Sequence, residues 1–365
     1  MSVSSPSILI VNIRLIGDVV LTTPLIDVLK AAYPEGRIDF LVNRGTGEFL
    51  LKDPRVGRVH YSEKWISGDG EAHNGYLAKI FRKYDIAICM NASDRGAVAA
   101  VAAARDKRIG FFEPHKKLGA WWRRILYSHP VLYQEDDHVV MRCAKVLEAI
   151  GLESGRLPVK IYWDQHDAGG IRSLLDAGGV HGCYFVVHPF ARWRYKYWDI
   201  HHFAELSDMV AARYGCVPVW TSSPDKEEIE LLKSAAACCS VPPLLIPGTC
   251  TLNQMACLIQ GSTLFLGLDT AISHIAASTG VPMLALYGPT EMWRWHPWNN
   301  DVPPGCYAQP TGRGTFRSGR TVALQAACGH FPCIRPNCYA QGIENPCMMA
   351  ITPQDAFAEI AALLD

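Results

Sequence analysis

Short apolar runs alternate with helical stretches along this chain, and the alternation occurs twice. Ile8–Ile13 is the first run, apolar except at Asn12, as expected of a strand covered on both faces. Gly17–Ala32 follows with apolar residues at Val20, Leu21, Leu25, Val28 and Leu29, a helical spacing that Tyr33-Pro34-Glu35-Gly36 ends. Ile38–Val42, Arg58–Tyr61 and Asp85–Met90 read as further strands, with helices from about Asp94 and over Val139–Ile150. Leu157–Gly170, with Pro158, Asp164, Asp167 and a glycine pair, reads as a linker, and then the pattern restarts. Cys183–His188, Val217–Trp220, Leu244–Ile246, Thr263–Gly267 and Met283–Tyr287 are strands; Asp199–Arg213, Pro224–Ala237 and segments from about Thr251 and Thr270 are helices. Strands separated by helices require parallel sheets, so the expected fold class is α/β with two doubly wound domains.

The division falls at residues 1–165, 166–350 and a last helix over 351–365, with Thr352 as N-cap and Pro353 in the first turn. Between Gly288 and Cys347, glycine, proline, tryptophan and cysteine dominate without periodicity, which predicts loops. A length of 365 residues, 49 % apolar, suffices for two cores. The zero formal net charge gives no whole-molecule field for nucleic acid. No run of about 18 apolar residues is present, and Met1–Ser7 lacks the pattern of an export signal, so a cytoplasmic location is expected. The 13 cysteines should then stay reduced. Cys328, Cys333, Cys338 and Cys347 lack paired zinc-ligand spacing, and no metal is expected.

Ligands of open α/β sheets bind beyond the carboxyl ends of strands, so chemistry is sought there. The first such turn, Arg14-Leu15-Ile16-Gly17-Asp18, lacks the glycine-rich dinucleotide fingerprint and instead places Asp18 at a helix entrance. The first strand of the second half leads into His188-Pro189-Phe190-Ala191-Arg192-Trp193-Arg194-Tyr195-Lys196, whose cations suit a pyrophosphate. Asp225-Lys226-Glu227-Glu228 offers carboxylates for ribose hydroxyls, or simply an acidic first turn. Gly267-Leu268-Asp269-Thr270-Ala271 opens a helix whose N–H groups form an anion site, with His274 near its first turn.

These pieces together resemble glycosyltransferase family nine, the ADP-heptose:lipopolysaccharide heptosyltransferases. The resemblance rests on Gly17-Asp18, the K-x-W of Lys196–Trp198, Gln254-Met255-Ala256, and Asp269-Thr270 with Ser273-His274-Ile275, followed by Gly280-Val281-Pro282 and Tyr287-Gly288-Pro289-Thr290. It runs from Ile8 to about Ala350 and is nearest, at the His188–Trp198 loop, to the third type, which adds a branch heptose. It implies a GT-B fold of two Rossmann-like domains, with the last helix returning to the first. It also implies the donor ADP-heptose, a lipopolysaccharide inner-core acceptor and inverting transfer; with protein cations to neutralise the phosphates, no cofactor is expected. By the same resemblance Asp18 is the general base, Lys196 meets the donor phosphates, and Glu227 or Glu228 meets the ribose; Arg192, by its charge in the same loop, is expected to stabilise the departing ADP with Lys196. Met255 lies beside the adenine, and Asp269, Thr270, Ala271 and His274 form the donor helix mouth. Ala271 departs from the family's usual glycine and is tolerable if its φ is negative.

A basic, indole-bearing patch on the first half, including Lys116, Lys117, Arg123 and Arg124, is a candidate acceptor surface at the inner face of the inner membrane. Its plainer reading is a surface helix with tryptophans packed inward. Rival readings are another family-nine transferase, a sugar-nucleotide epimerase and a non-enzymatic nucleotide-binding module.

Overall fold

A computed structural model describes residues 5–62, 75–113, 121–303, 314–327 and 345–365. The chain divides into two compact units, the first essentially up to Lys160 and the second from Ile161 onward.

In the first unit, β1 (Ser7–Asn12), β2 (Arg37–Asn43), β3 (Val56–Ser62), β4 (Tyr84–Cys89), β5 (Ala104–Phe112) and β6 (His129–Leu132) form a sheet of order β3-β2-β1-β4-β5-β6. All its pairings are parallel. The chain runs from β1 to β2 on one side and returns past β1 to β4 on the other, so the order reverses between β1 and β4. A core of Leu9, Val11, Leu41, Ala87 and Cys89 packs against the alanines of the Asp94–Ala103 helix. Ser93 caps that helix by accepting from the Gly96 N–H.

In the second unit, β7 (Tyr184–His188), β8 (Val217–Ser222), β9 (Leu244–Pro247), β10 (Phe265–Leu268), β11 (Met283–Tyr287), β12 (Gly314–Ser318) and β13 (Thr321–Gln325) are ordered β12-β13-β11-β10-β7-β8-β9. Only the β12–β13 hairpin is antiparallel. The order reverses between β7 and β10.

Three expectations change. The stretch read as one helix over Gly17–Ala32 is two, Ile16–Val20 and Pro24–Ala32, because Pro24 has no N–H for a continuing ladder. The expected linker ends early: Asp164 and Asp167 form a reciprocal cap on a helix over Gln165–Ala177. The last helix, Pro353–Leu364, packs within the second unit, where Ala356 and Ile360 join the core of Phe185, Phe203 and Leu286; a return to the first domain is not what these contacts describe.

Candidate functional site

Each sheet brings its polar residues to the point where its strand order reverses, the place where neighbouring loops splay apart and leave a crevice. In the first unit this point carries Asp18. Its carboxyl is 14 % exposed, and Arg14 Nε lies 3.7 Å from Oδ1. Burial raises its pKa; the positive charges of Arg14 and Arg142 and the Leu15 backbone N–H oppose that rise without cancelling it. Arg142 is itself buried, its guanidinium donating to the Tyr133 hydroxyl at 2.8 Å and lying over that ring. The result is a carboxyl that holds a proton more readily than a solvated aspartate, the direction a general base requires.

In the second unit, the loop after β7 brings Lys196 to Asp269, which follows β10; Nζ and Oδ2 are 2.5 Å apart, with the side chains 16 % and 5 % exposed. Two polar clamps from the end of the chain hold this loop. Asn345 Nδ2 donates to the Tyr195 carbonyl at 2.7 Å, and the Trp198 indole N–H donates to the Ile351 carbonyl at 2.9 Å. Thr270 then takes extended backbone angles and begins the Ala271–Thr279 helix without capping it through its side chain. The first N–H groups of that helix, at Ala271 and Ile272, have no partner inside it. Ala271 is the first helical residue, and its φ is not positive, so a side chain is accommodated where the resemblance expects glycine.

Three buried histidines surround this region in sequence. Burial pushes His188 down to about 4, and its Nδ1 lies 2.9 Å from Thr221 Oγ1. Because the Thr221 hydroxyl donates to the Val187 carbonyl, it accepts from His188, which fixes the Nδ1–H tautomer. His274 is held at about 4, burial outweighing the nearby Asp269 charge, and its Nδ1 has no hydrogen-bond partner among the described residues. His296 is pushed down to about 3 by the same cause.

The other predicted residues separate. Arg192 is exposed and lies over the Trp193 ring. Glu227 is exposed and ion-paired with Arg194, whereas Glu228 is half-buried, its Oε2 accepting from the Ser223 N–H at 2.9 Å. Met255 is buried in the Leu252–Gln260 helix. Arg123 requires correction as an acceptor residue. Its side chain is 8 % exposed and pairs with Asp94 at 2.7 Å while donating to the Ala92 carbonyl at 2.9 Å, so its cation is spent joining the Trp121–Leu126 helix to the start of the Asp94–Ala103 helix. Arg124 is exposed. Lys116, Lys117, Cys328, Cys333 and Cys338 lie outside the described residues; Cys347 is buried, its thiol donating to Asn345 Oδ1. Among the described residues, Asp164, His166 and Asp167 come within metal-binding reach of one another, but the two carboxylates already serve as the helix cap. Inspection of motifs missed Asn12, Thr22 and Asn345; a lone asparagine closing an apolar strand was the available signal for the first.

The sequence pattern of glycosyltransferase family 9 (heptosyltransferase) matches residues 77–308. The chain is 32 % identical over 295 residues to lipopolysaccharide heptosyltransferase 3 of Escherichia coli, covering 79 % of this chain and 85 % of that protein. Its fold is similar to the crystal structure of the family 9 glycosyl transferase from Veillonella parvula (TM-score 0.71, 20 % identity, 82 % of this chain and 85 % of that one). It is also similar to the E. coli ADP-heptose LPS heptosyltransferase II structure, with a TM-score of 0.70, 18 % identity and 98 % of both chains covered. The two sheets are thus the Rossmann-like halves of a GT-B fold.

Proposed function

Since this chain belongs to glycosyltransferase family 9, we propose that it moves a heptose from ADP-heptose onto the inner core of lipopolysaccharide, with inversion, as the third, branch-adding type does. The observation that carries the reading is Asp18, a carboxyl of raised pKa at the strand-order reversal of the first sheet. As the acceptor oxygen attacks the anomeric carbon, Asp18 takes its proton and ADP departs. Lys196 meets the diphosphate, together with the helix-opening N–H groups at Ala271 and Ile272 and the exposed Arg192. Asp269 and His274 line the same helix mouth, and Met255 sits beside the base. Glu227 or Glu228 meets the ribose: Glu227 is exposed and paired with Arg194, and Glu228 is held by the Ser223 N–H and the Tyr197 hydroxyl. Protein cations then neutralise the leaving group, and no metal is needed.

Among the described residues, no helix is long and apolar enough to cross a membrane. We place the work at the inner face of the inner membrane, reached by transient contact. Exposed Arg124 beside exposed Ile125 and Leu126 supports this, because a cation flanked by apolar side chains suits an anionic lipid surface.

The test is incubation with ADP-heptose and inner-core lipopolysaccharide lacking the branch heptose, followed by mass spectrometry. One added heptose with the wild type, and a rate lowered about 10²–10⁴-fold in Asp18→Asn, is expected. ADP release without heptose addition would mean hydrolysis or a different acceptor. No donor consumption would point to another nucleotide sugar, to be sought by competition with UDP- and GDP-sugars.

A further inference from the structure

Asp18 sits on a helix of five residues, Ile16–Val20, whose N-cap, Leu15, has no side-chain capping bond. So short a helix has little stability of its own, and the direction of its carboxylate must be set from outside. The hydrogen bonds show how. The Thr22 N–H, which would continue the helical ladder to the Asp18 carbonyl, bonds instead to the Val19 carbonyl. The Asp18 carbonyl is taken up by two side chains. Asn12 Nδ2 donates to it at 2.9 Å, and the Thr22 hydroxyl donates to it at 2.8 Å. Asn12 Nδ2 also donates to Thr22 Oγ1 at 2.7 Å, closing a ring of three bonds.

The ring fixes the orientation of the Asn12 amide, because a carbonyl can only accept and the NH₂ must face it. Asn12 Oδ1 is thereby turned away, and it is buried without a hydrogen-bond partner among the described residues, in a side chain only 3 % exposed. An apolar residue closing β1 would leave no such orphan. What Asn12 supplies that an apolar residue could not is its donor side, and both of its donor bonds are directed at holding Asp18.

We propose that Asn12 and Thr22 are positioning residues that aim the Asp18 carboxylate by clamping its backbone carbonyl. The inference rests on the reading of Asp18 as the base. The charged groups facing that carboxyl, Arg14 from the preceding turn and Arg142 from the Met141–Glu148 helix, set its charge environment; the clamp sets where it points.

The experiment uses the full chain as Thr22→Val, Asn12→Leu, Thr22→Ser and Asp18→Asn, with ADP-heptose and lipopolysaccharide acceptor. It reads kcat, donor KM, the kcat–pH profile and thermal melting. A misdirected reacting group costs about 10-fold to 10²-fold. Thr22→Val and Asn12→Leu should therefore lower kcat by about tenfold or more and leave donor KM within about twofold. The acid limb of the profile should move to lower pH as the loosened carboxyl gains water, and Thr22→Ser should restore most of the rate. Wild-type kcat and acid limb in folded Thr22→Val overturn the proposal. So does a loss that Thr22→Ser fails to restore, or one that raises donor KM in step, since either marks general damage. If Asn12→Leu does not fold, Thr22→Val decides alone. Full activity in Asp18→Asn would sink the base assignment and the clamp with it. An inactive Asp18→Asn beside an unaffected Thr22→Val would sink only the clamp.

Discussion

Lys196 and Asp269 neutralise each other where neither is well hydrated, so each is costly to leave alone. In the proposed reaction, a diphosphate arriving at the mouth of the Ala271–Thr279 helix would compete with Asp269 for the same ammonium. Lys196→Met should therefore do two separable things. It should raise donor KM by about tenfold or more, as a charge-assisted contact is lost, and it should lower Tm, because Asp269 is left unpaired in a buried position. Adding Asp269→Asn should recover Tm without recovering donor affinity; calorimetric melts beside ADP titrations of the three proteins check this, and a double variant as unstable as the single one would contradict it. Arg123 belongs to the same scale with a different outcome. Arg123→Met should cost about 1.5–3 kcal/mol of stability through its lost bonds to Asp94 and the Ala92 carbonyl. It should leave acceptor KM unchanged in the protein that remains folded, and a raised acceptor KM would restore the surface role that its burial argues against.

At the scale of elements, the strands legible in the sequence are those with a mostly apolar run, clearest in β7 and β11. Those not legible were masked by composition. β5 begins Ala104-Arg105-Asp106-Lys107-Arg108 directly after an alanine-rich helix, and four charged residues, exposed or half-buried, separate buried Ala104 from the continuous buried run that starts at Ile109. β12 and β13 lie in a stretch rich in glycine and arginine, and only their pairing with each other and with β11 gives them a reason to be extended. The candidate site was legible where a residue's own position suggested its chemistry: Asp18, Lys196, Asp269 and Thr270 all follow strands. It was illegible where the placement of a loop depends on contacts distant in sequence, as with Asn345 reaching Tyr195. The reciprocal cap of Asp164 and Asp167 was hidden for a different cause, since two aspartates and a glycine pair look like linker chemistry. Asp164→Ala should weaken that helix by about 0.5–2 kcal/mol, visible as a lowered denaturant midpoint with transfer kinetics unchanged; no shift in the midpoint would show the cap to be redundant.

At the scale of the whole chain, His188, His274 and His296 are buried neutral in the same unit, with pKa values of about 4, 4 and 3. In an unfolded chain each titrates near 6.5, so between that value and its folded value the unfolded state binds more protons and stability falls with falling pH. The second unit should hold full stability above about pH 6.5 and lose it progressively toward pH 4, at up to about 1.4 kcal/mol per pH unit for each histidine. Denaturant midpoints measured from pH 7.5 to 4.5 check this; a flat profile would mean that these rings are hydrated. The two clamps on the Tyr195–Trp198 region have a different kind of consequence. Asn345 and Ile351 lie about 150 residues beyond the loop they hold. On the ribosome, the residues of both sheets emerge before either clamp residue, and until then the loop has the Lys196–Asp269 pair but neither clamp. A chain cut short before Asn345 would lose both clamps together with Met348, Ile351, Ala356 and Ile360 of the second core, so the hold on that loop and the stability of the unit should fall together.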